Sequence, residues 1–141
     1  MANEANVRSS LRIKLGDREY RSGSQGFSAN VSAFFGPVPG AIIATTDGVD
    51  IDLSTLTNPG LCIVKNLDTA NACKIGRWDN TNSVFYPMLY LLAGEQYVIR
   101  LDPDIEDEYS GTATSTTAEV STLRAKGVNA SVNISVEAFE S

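Results

Sequence analysis

No histidine occurs among the 141 residues, so no Ser-His or Cys-His nucleophilic pair exists and no imidazole can hold a metal. The two cysteines, Cys62 and Cys73, cannot complete a structural zinc site without such partners. Carboxylates are the chemistry that remains. Asp47, Asp50 and Asp52 flank an Asp47-Gly48 turn, and a carboxylate pair could in principle hydrolyse a glycosidic bond. Acids beside a turn are ordinarily surface polars, and no catalytic residue is assigned. Asp102-x-Asp104-x-Glu106-Asp107-Glu108 alternates oxygen ligands as a Ca²⁺ site needs. It lacks the glycine turn and closing glutamate of the EF-hand loop, and reads as a solvated acidic loop or a partner for basic residues of another subunit. No metal or cofactor is expected.

Trp78, Phe85, Tyr86, Tyr90 and Tyr97 cluster within one stretch. They could form a platform on which sugars stack, but core and interface packing is the better reading. Val84 to Leu92 (VFYPMLYLL) is apolar at both parities, as is Leu61 to Val64. A strand apolar on both faces must be covered on both sides, by a second sheet and by a loop or a neighbouring subunit. Val7, Leu61, Ile63, Phe85, Tyr86, Met88 and Tyr90 are therefore the candidate interface residues.

The elements that would position these residues are strands. Leu61 to Lys65, Cys73 to Arg77, Val84 to Leu92 and Gln96 to Leu101 are short apolar runs between Gly, Pro, Asn and Asp clusters. That is the pattern of antiparallel strands in a meander or part of a Greek key. A hairpin centred near Leu67 and Asp68 would bring Cys62 and Cys73 opposite each other, within disulfide reach. Two reduced, buried thiols are the favoured reading in a chain made in the cytoplasm.

Residues 1–6 read as an arm, and residues 7–141 as one domain. Val7 to Leu15 alternates as a half-buried strand, with Leu11, Ile13 and Leu15 on one face. Gly16-Asp17 turns the chain, Arg18 to Arg21 extends a second short strand, and Ser22 to Gly26 is a loop. Phe27 to Ala33 alternates again, and Gly36-Pro37-Val38-Pro39-Gly40 breaks it. Ala41 to Thr46 and Val49 to Leu53 flank Asp47-Gly48, a two-residue hairpin signal. Past the acidic loop, Val120 to Ala125 reads as a strand, with a short helix over Glu119 to Lys126 as the alternative. Ala130 to Phe139 has the cleanest alternation, with Ala130, Val132, Ile134, Val136 and Ala138 directed at the core. The spacing predicts an all-β, antiparallel sandwich of about eight strands, jelly-roll-like with Greek-key links.

The formal net charge of −6 argues against non-specific nucleic-acid binding, which needs clustered cations to displace counterions. The N-terminus has no apolar signal core, and no apolar run is long enough to span a membrane. Synthesis in the cytoplasm without export by the usual route is the expectation.

Leu53-Ser54-x-Leu56-x-x-Pro59-Gly60, Lys65-Asn66-Leu67-Asp68-x-x-Asn71, Ile75-Gly76, Phe85-Tyr86-Pro87-x-Leu89, Leu92-Ala93-Gly94-Glu95 and Ile99-Arg100-Leu101 form an ordered set. Together they resemble small β-sandwich virion structural proteins of tailed bacteriophages, of the decoration or accessory kind. The resemblance spans about a third of the chain and carries no catalytic or cofactor residue. It implies a capsid decoration or cement subunit that oligomerises, as a trimer for preference, on the shell and stabilises it. The implied partners are the major capsid protein or other virion proteins. A tail or head–tail joining subunit is the alternative within that class, and a carbohydrate-binding sandwich using Trp78, Tyr86 and Tyr90 is the alternative outside it.

Overall fold

A computed structural model describes residues 4–30, 37–57, 59–101 and 121–140. All the regular structure among them is β. The chain begins with β1 (Glu4–Ser9), β2 (Arg12–Leu15), β3 (Arg18–Arg21) and β4 (Gln25–Asn30). It continues with β5 (Val38–Ala44), β6 (Val49–Asp50), β7 (Pro59–Asn66), β8 (Cys73–Asp79), β9 (Val84–Leu91), β10 (Gln96–Arg100), β11 (Ser121–Gly127) and β12 (Val132–Glu140).

The last eight strands build two four-stranded sheets, ordered β10-β7-β12-β5 and β6-β11-β8-β9. The antiparallel pairs are nested: β5 with β12, β6 with β11, β7 with β10, and β8 with β9. Such nesting, with successive strands passing from one sheet to the other, is the jelly roll. β12 carries the alternation that the sequence displays so clearly. Val132, Ile134, Val136 and Ala138 are buried, while the residues between them are partly open to solvent. Across the sandwich they meet Cys73, Ile75, Leu91 and Ala125 of the second sheet, and Leu53, Leu56 and Leu101 close the ends.

The turn signals are real, but several serve a different purpose from the one their local chemistry suggests. Gly48 has φ of +98°, and its N–H donates to the Thr45 carbonyl at 3.1 Å. The chain does turn there, yet β5 and β6 lie in different sheets, so Asp47-Gly48 is a corner and not a hairpin. The turn after β7 does the same. Asn66 is fully buried, and its Nδ2 donates to the carbonyls of Asn71 (2.9 Å) and Leu91 (3.3 Å). Its Oδ1 accepts from the Asp68 N–H at 2.9 Å. Asp68 in turn accepts from the backbone N–H groups of Ala70 and Asn71, each at 2.8 Å. These bonds carry the chain from the end of β7 to the start of β8 in the opposite sheet. Cys62 and Cys73 are consequently not hairpin partners; both are free thiols facing the core. Leu67 is exposed, and Gly60 lies within β7.

Pro39 and Gly40, which look like chain breakers, lie inside β5. That strand is at the edge of its sheet, where a residue with no N–H to donate is tolerated. β8 and β9 form a true hairpin with an irregularity at Ile75/Gly76. A Cβ at Gly76 would collide with the backbone of Tyr86 and Pro87, so the bulge requires glycine there.

Residues 4–30 form ladders separate from the two sheets of this sandwich. Among the described residues β1 pairs only with β4, from Glu4↔Asn30 to Ser9↔Gln25, and β2 pairs only with β3, from Arg12↔Arg21 to Leu15↔Arg18. Between the two ladders, Leu11 and Ser22 exchange backbone and side-chain hydrogen bonds of 2.8–2.9 Å. The result is one long hairpin arm over residues 4–30, longer than the arm expected over residues 1–6 and folded back at Gly16-Asp17, where Gly16 has φ of +59°. The half-buried strand expected over Val7 to Leu15 is therefore two strands. Every residue of β2 and β3 is exposed, because a two-stranded ribbon has no second layer to cover it.

Candidate functional site

The predicted interface residues separate into two places. Val7, Leu61 and Ile63 come together in the first. Ala5, Asn6, Val7 and Arg8 of β1 lie over the outer face of the first sheet, and with Leu61, Ile63, Val98 and Phe139 they line a groove of about 350 Å³. The register explains the apolar floor: Ile63 is opposite Val98 on β10 and Glu137 on β12, on the side of the sheet facing away from the core. The second cover that β7 needs on its outer side is thus supplied in part by the chain's own arm.

Phe85, Tyr86, Met88 and Tyr90 belong to β9, the edge strand of the second sheet. Tyr86, Met88 and Tyr90 are exposed, Met88 by 69%. They do not form one platform. Tyr90 is opposite Lys74 and Tyr86 opposite Arg77, positions of opposite parity on β8, because the bulge at Gly76 shifts the alternation between them. Trp78 is opposite Phe85. Its ring face is already covered by the Arg124 guanidinium, 4.1 Å from the ring centroid, and Arg124 also pairs with Asp50 at 2.6 Å. A sugar ring would have to displace that cation–π contact.

Two of the three carboxylates considered for catalysis hold local structure. Asp50 is engaged by Arg124, and Asp52 accepts from the Ser54 N–H (3.0 Å) and Ser54 Oγ (2.5 Å). Those bonds from Ser54 hold the Asp52 carboxyl below the usual carboxylate range. Asp79, which is buried, accepts from the Thr81 N–H and from the backbone and side-chain nitrogens of Asn82 at 2.9–3.0 Å. These bonds, the Asn82 side chain first, lower its pKa as well. No group of three or more metal-ligating side chains occurs among the described residues. The acidic loop at 102–108 lies outside them.

The arm holds the functional candidates that the sequence reading passed over. Ile13 is opposite Tyr20 and Leu15 opposite Arg18. With Leu11, this puts Leu11, Ile13, Leu15 and Tyr20 on one face of the ribbon, all exposed, Leu15 by 74%. Arg12, Lys14, Glu19 and Arg21 share the other face. There Glu19 pairs with both Arg21 and Arg12, and these two guanidinium groups lower its pKa. A signal was present in the sequence: Gly16-Asp17 turns directly between two short runs, Leu11 to Leu15 and Arg18 to Arg21, as a hairpin does.

Comparison of the chain with protein-family models, curated proteins and solved structures found no match.

Proposed function

We propose that this chain is a structural subunit of a tailed-bacteriophage particle: a capsid decoration or cement protein that works by binding. The observation that carries the reading is the division of labour between a closed jelly roll and a hairpin arm. The jelly roll buries its own core and engages its acids in turns and ion pairs. The arm leaves apolar side chains in water. A subunit that ties neighbours together needs such a rigid body with a covering element extended from it. The ordered pattern over residues 53–101 supports the same class.

In this reading the subunit assembles as a homo-oligomer, a trimer for preference, and contacts the major capsid protein or another virion protein. The exposed β9 edge and the arm are the contact surfaces. A position in the tail or at the head–tail joint would use the same surfaces. The carbohydrate-binding alternative is weaker, since Arg124 occupies the face of Trp78 and the bulge divides Tyr86 from Tyr90.

The test is to mix the purified protein with phage shells that lack it, then measure co-sedimentation and shell melting temperature. Binding at a saturable stoichiometry with a raised shell melting temperature is expected. Shells that neither retain the protein nor gain stability would move the assignment to the tail or away from particles.

A further inference from the structure

We infer that the arm tip, residues 8–21, docks on the body of a second copy of this chain, so that copies are held together by exchanged arms. This deepens the homo-oligomer part of the proposed function and rests on it. The first observation is geometric. Leu11, Ile13, Leu15 and Tyr20 form an apolar row on one face of the ribbon, more than two-fifths exposed at every position, with Arg18 opposite Leu15 on the same face. Among the described residues nothing covers that row: β2 and β3 are exposed throughout and pair only with each other.

The second observation is charge. Residues 4–30 carry five cations against three carboxylates, a net of +2, whereas the rest of the chain carries six against fourteen, a net of −8, six of those carboxylates falling between Asp102 and Glu119, outside the described residues. The imbalance sharpens at the tip. Residues 8–21 hold all five of the arm's cations and only Asp17 and Glu19 as acids. Glu19 serves both Arg12 and Arg21, and among the described residues no carboxylate pairs with Arg8, Lys14 or Arg18. A cationic, apolar-faced ribbon is complementary to the acidic body of its own kind, and the bodies alone would repel one another. Opposite net charge on the two parts steers arm to body over arm to arm or body to body. The row of aliphatic and aromatic side chains then provides the desolvated centre of the contact.

The experiment is sedimentation equilibrium on the full chain over a concentration series, at low ionic strength and at about 1 M salt, where the screening length falls to about 3 Å. Self-association that weakens with salt is expected. The pair Ile13→Ser and Leu15→Ser, and separately the pair Lys14→Glu and Arg18→Glu, are each expected to raise the dissociation constant at least about tenfold. At concentrations where the parent is dissociated their melting temperatures should match it, since all four side chains are exposed in the single chain. A chain that stays monomeric at every salt concentration would overturn the inference, as would an oligomer indifferent to both pairs. Flotation of the monomer with phosphatidylglycerol vesicles, dependent on the same residues, would overturn it in favour of a lipid surface. Arm-dependent self-association without shell binding would leave the inference standing and remove only the particle assignment.

Discussion

Cys62 and Cys73 sit on the inner faces of opposite sheets, and their surroundings decide their chemistry. Burial, assisted by the charge of Glu137, pushes the Cys62 thiol up to about 12, and burial pushes Cys73 up to about 11. A thiol held protonated is neither a nucleophile nor a ready metal ligand. Both should resist an aromatic disulfide reagent at pH 8 in the native protein and react fully once urea unfolds it. Rapid native labelling of either would contradict the packing. Both folded values lie above the ordinary 9, so the folded chain holds these protons more tightly. The resulting contribution to stability is whole below about pH 9 and is lost as pH rises toward 11 and 12. Asp79 works in the opposite direction. Its bonds to Asn82 and Thr81 lower the folded pKa, so its contribution is present above the ordinary carboxylate value and is lost as pH falls through the folded one. Asp79→Asn should melt below the parent at pH 7, and the gap should begin to narrow as pH falls below about 4 and close only as pH falls through the lowered folded value. Melting curves across that range provide the check. A gap independent of pH would mean that the charge of Asp79 plays no part in holding the turn.

The β8–β9 hairpin joins one residue to the path of a whole strand. Gly76 lies against the Tyr86 carbonyl, and backbone on that side cannot swing away as a side-chain tip could. Gly76→Ala should therefore destabilise by about 1–3 kcal/mol, the usual cost of overpacking, as read from urea denaturation. An unchanged midpoint would show that the bulge can relax. Strands were the legible part of this sequence. The four runs between Leu61 and Leu101 all form strands, and so does the alternating run that ends at Phe139. What a strand pairs with was not legible. Asp47-Gly48 and Asn66 to Asn71 each carry turn chemistry indistinguishable from that of a hairpin, yet each sends the chain across the sandwich. A turn's local bonds fix where the backbone reverses, whereas the choice of sheet follows from which faces can be buried together. That is why Cys62 and Cys73 lie on opposing sheets, and why the aromatic residues of β9 divide at a bulge the sequence does not announce. Burial in the arm failed for a related reason. Alternation at Leu11, Ile13 and Leu15 predicts one covered face, but among the described residues nothing covers it.

At the scale of the whole molecule, the chain is two nested hairpins in succession, a small open one and a large one rolled into a sandwich. The buried core draws no residue from the first: every member lies between Ala44 and Ala138. Among the described residues the arm's strands also share no ladder with the body. The jelly roll should consequently fold without its arm. A chain shortened to residues 37–141 should keep a single cooperative unfolding transition. Its losses would be confined to the groove, where removal of Ala5 and Val7 uncovers part of Leu61, Ile63, Val98 and Phe139. Val7 is only partly buried, so the loss should be about 1 kcal/mol, or a melting temperature about 4–8 °C lower for a body of this size. Calorimetry of the shortened chain decides the matter. A transition of that kind, coupled with loss of self-association, would separate the two parts cleanly: the body supplies stability and the arm supplies contacts. Failure of the shortened chain to fold would instead make the outer face of β7, covered by β1, a second core on which the sandwich depends. The arm would then be part of the fold before it is part of any assembly.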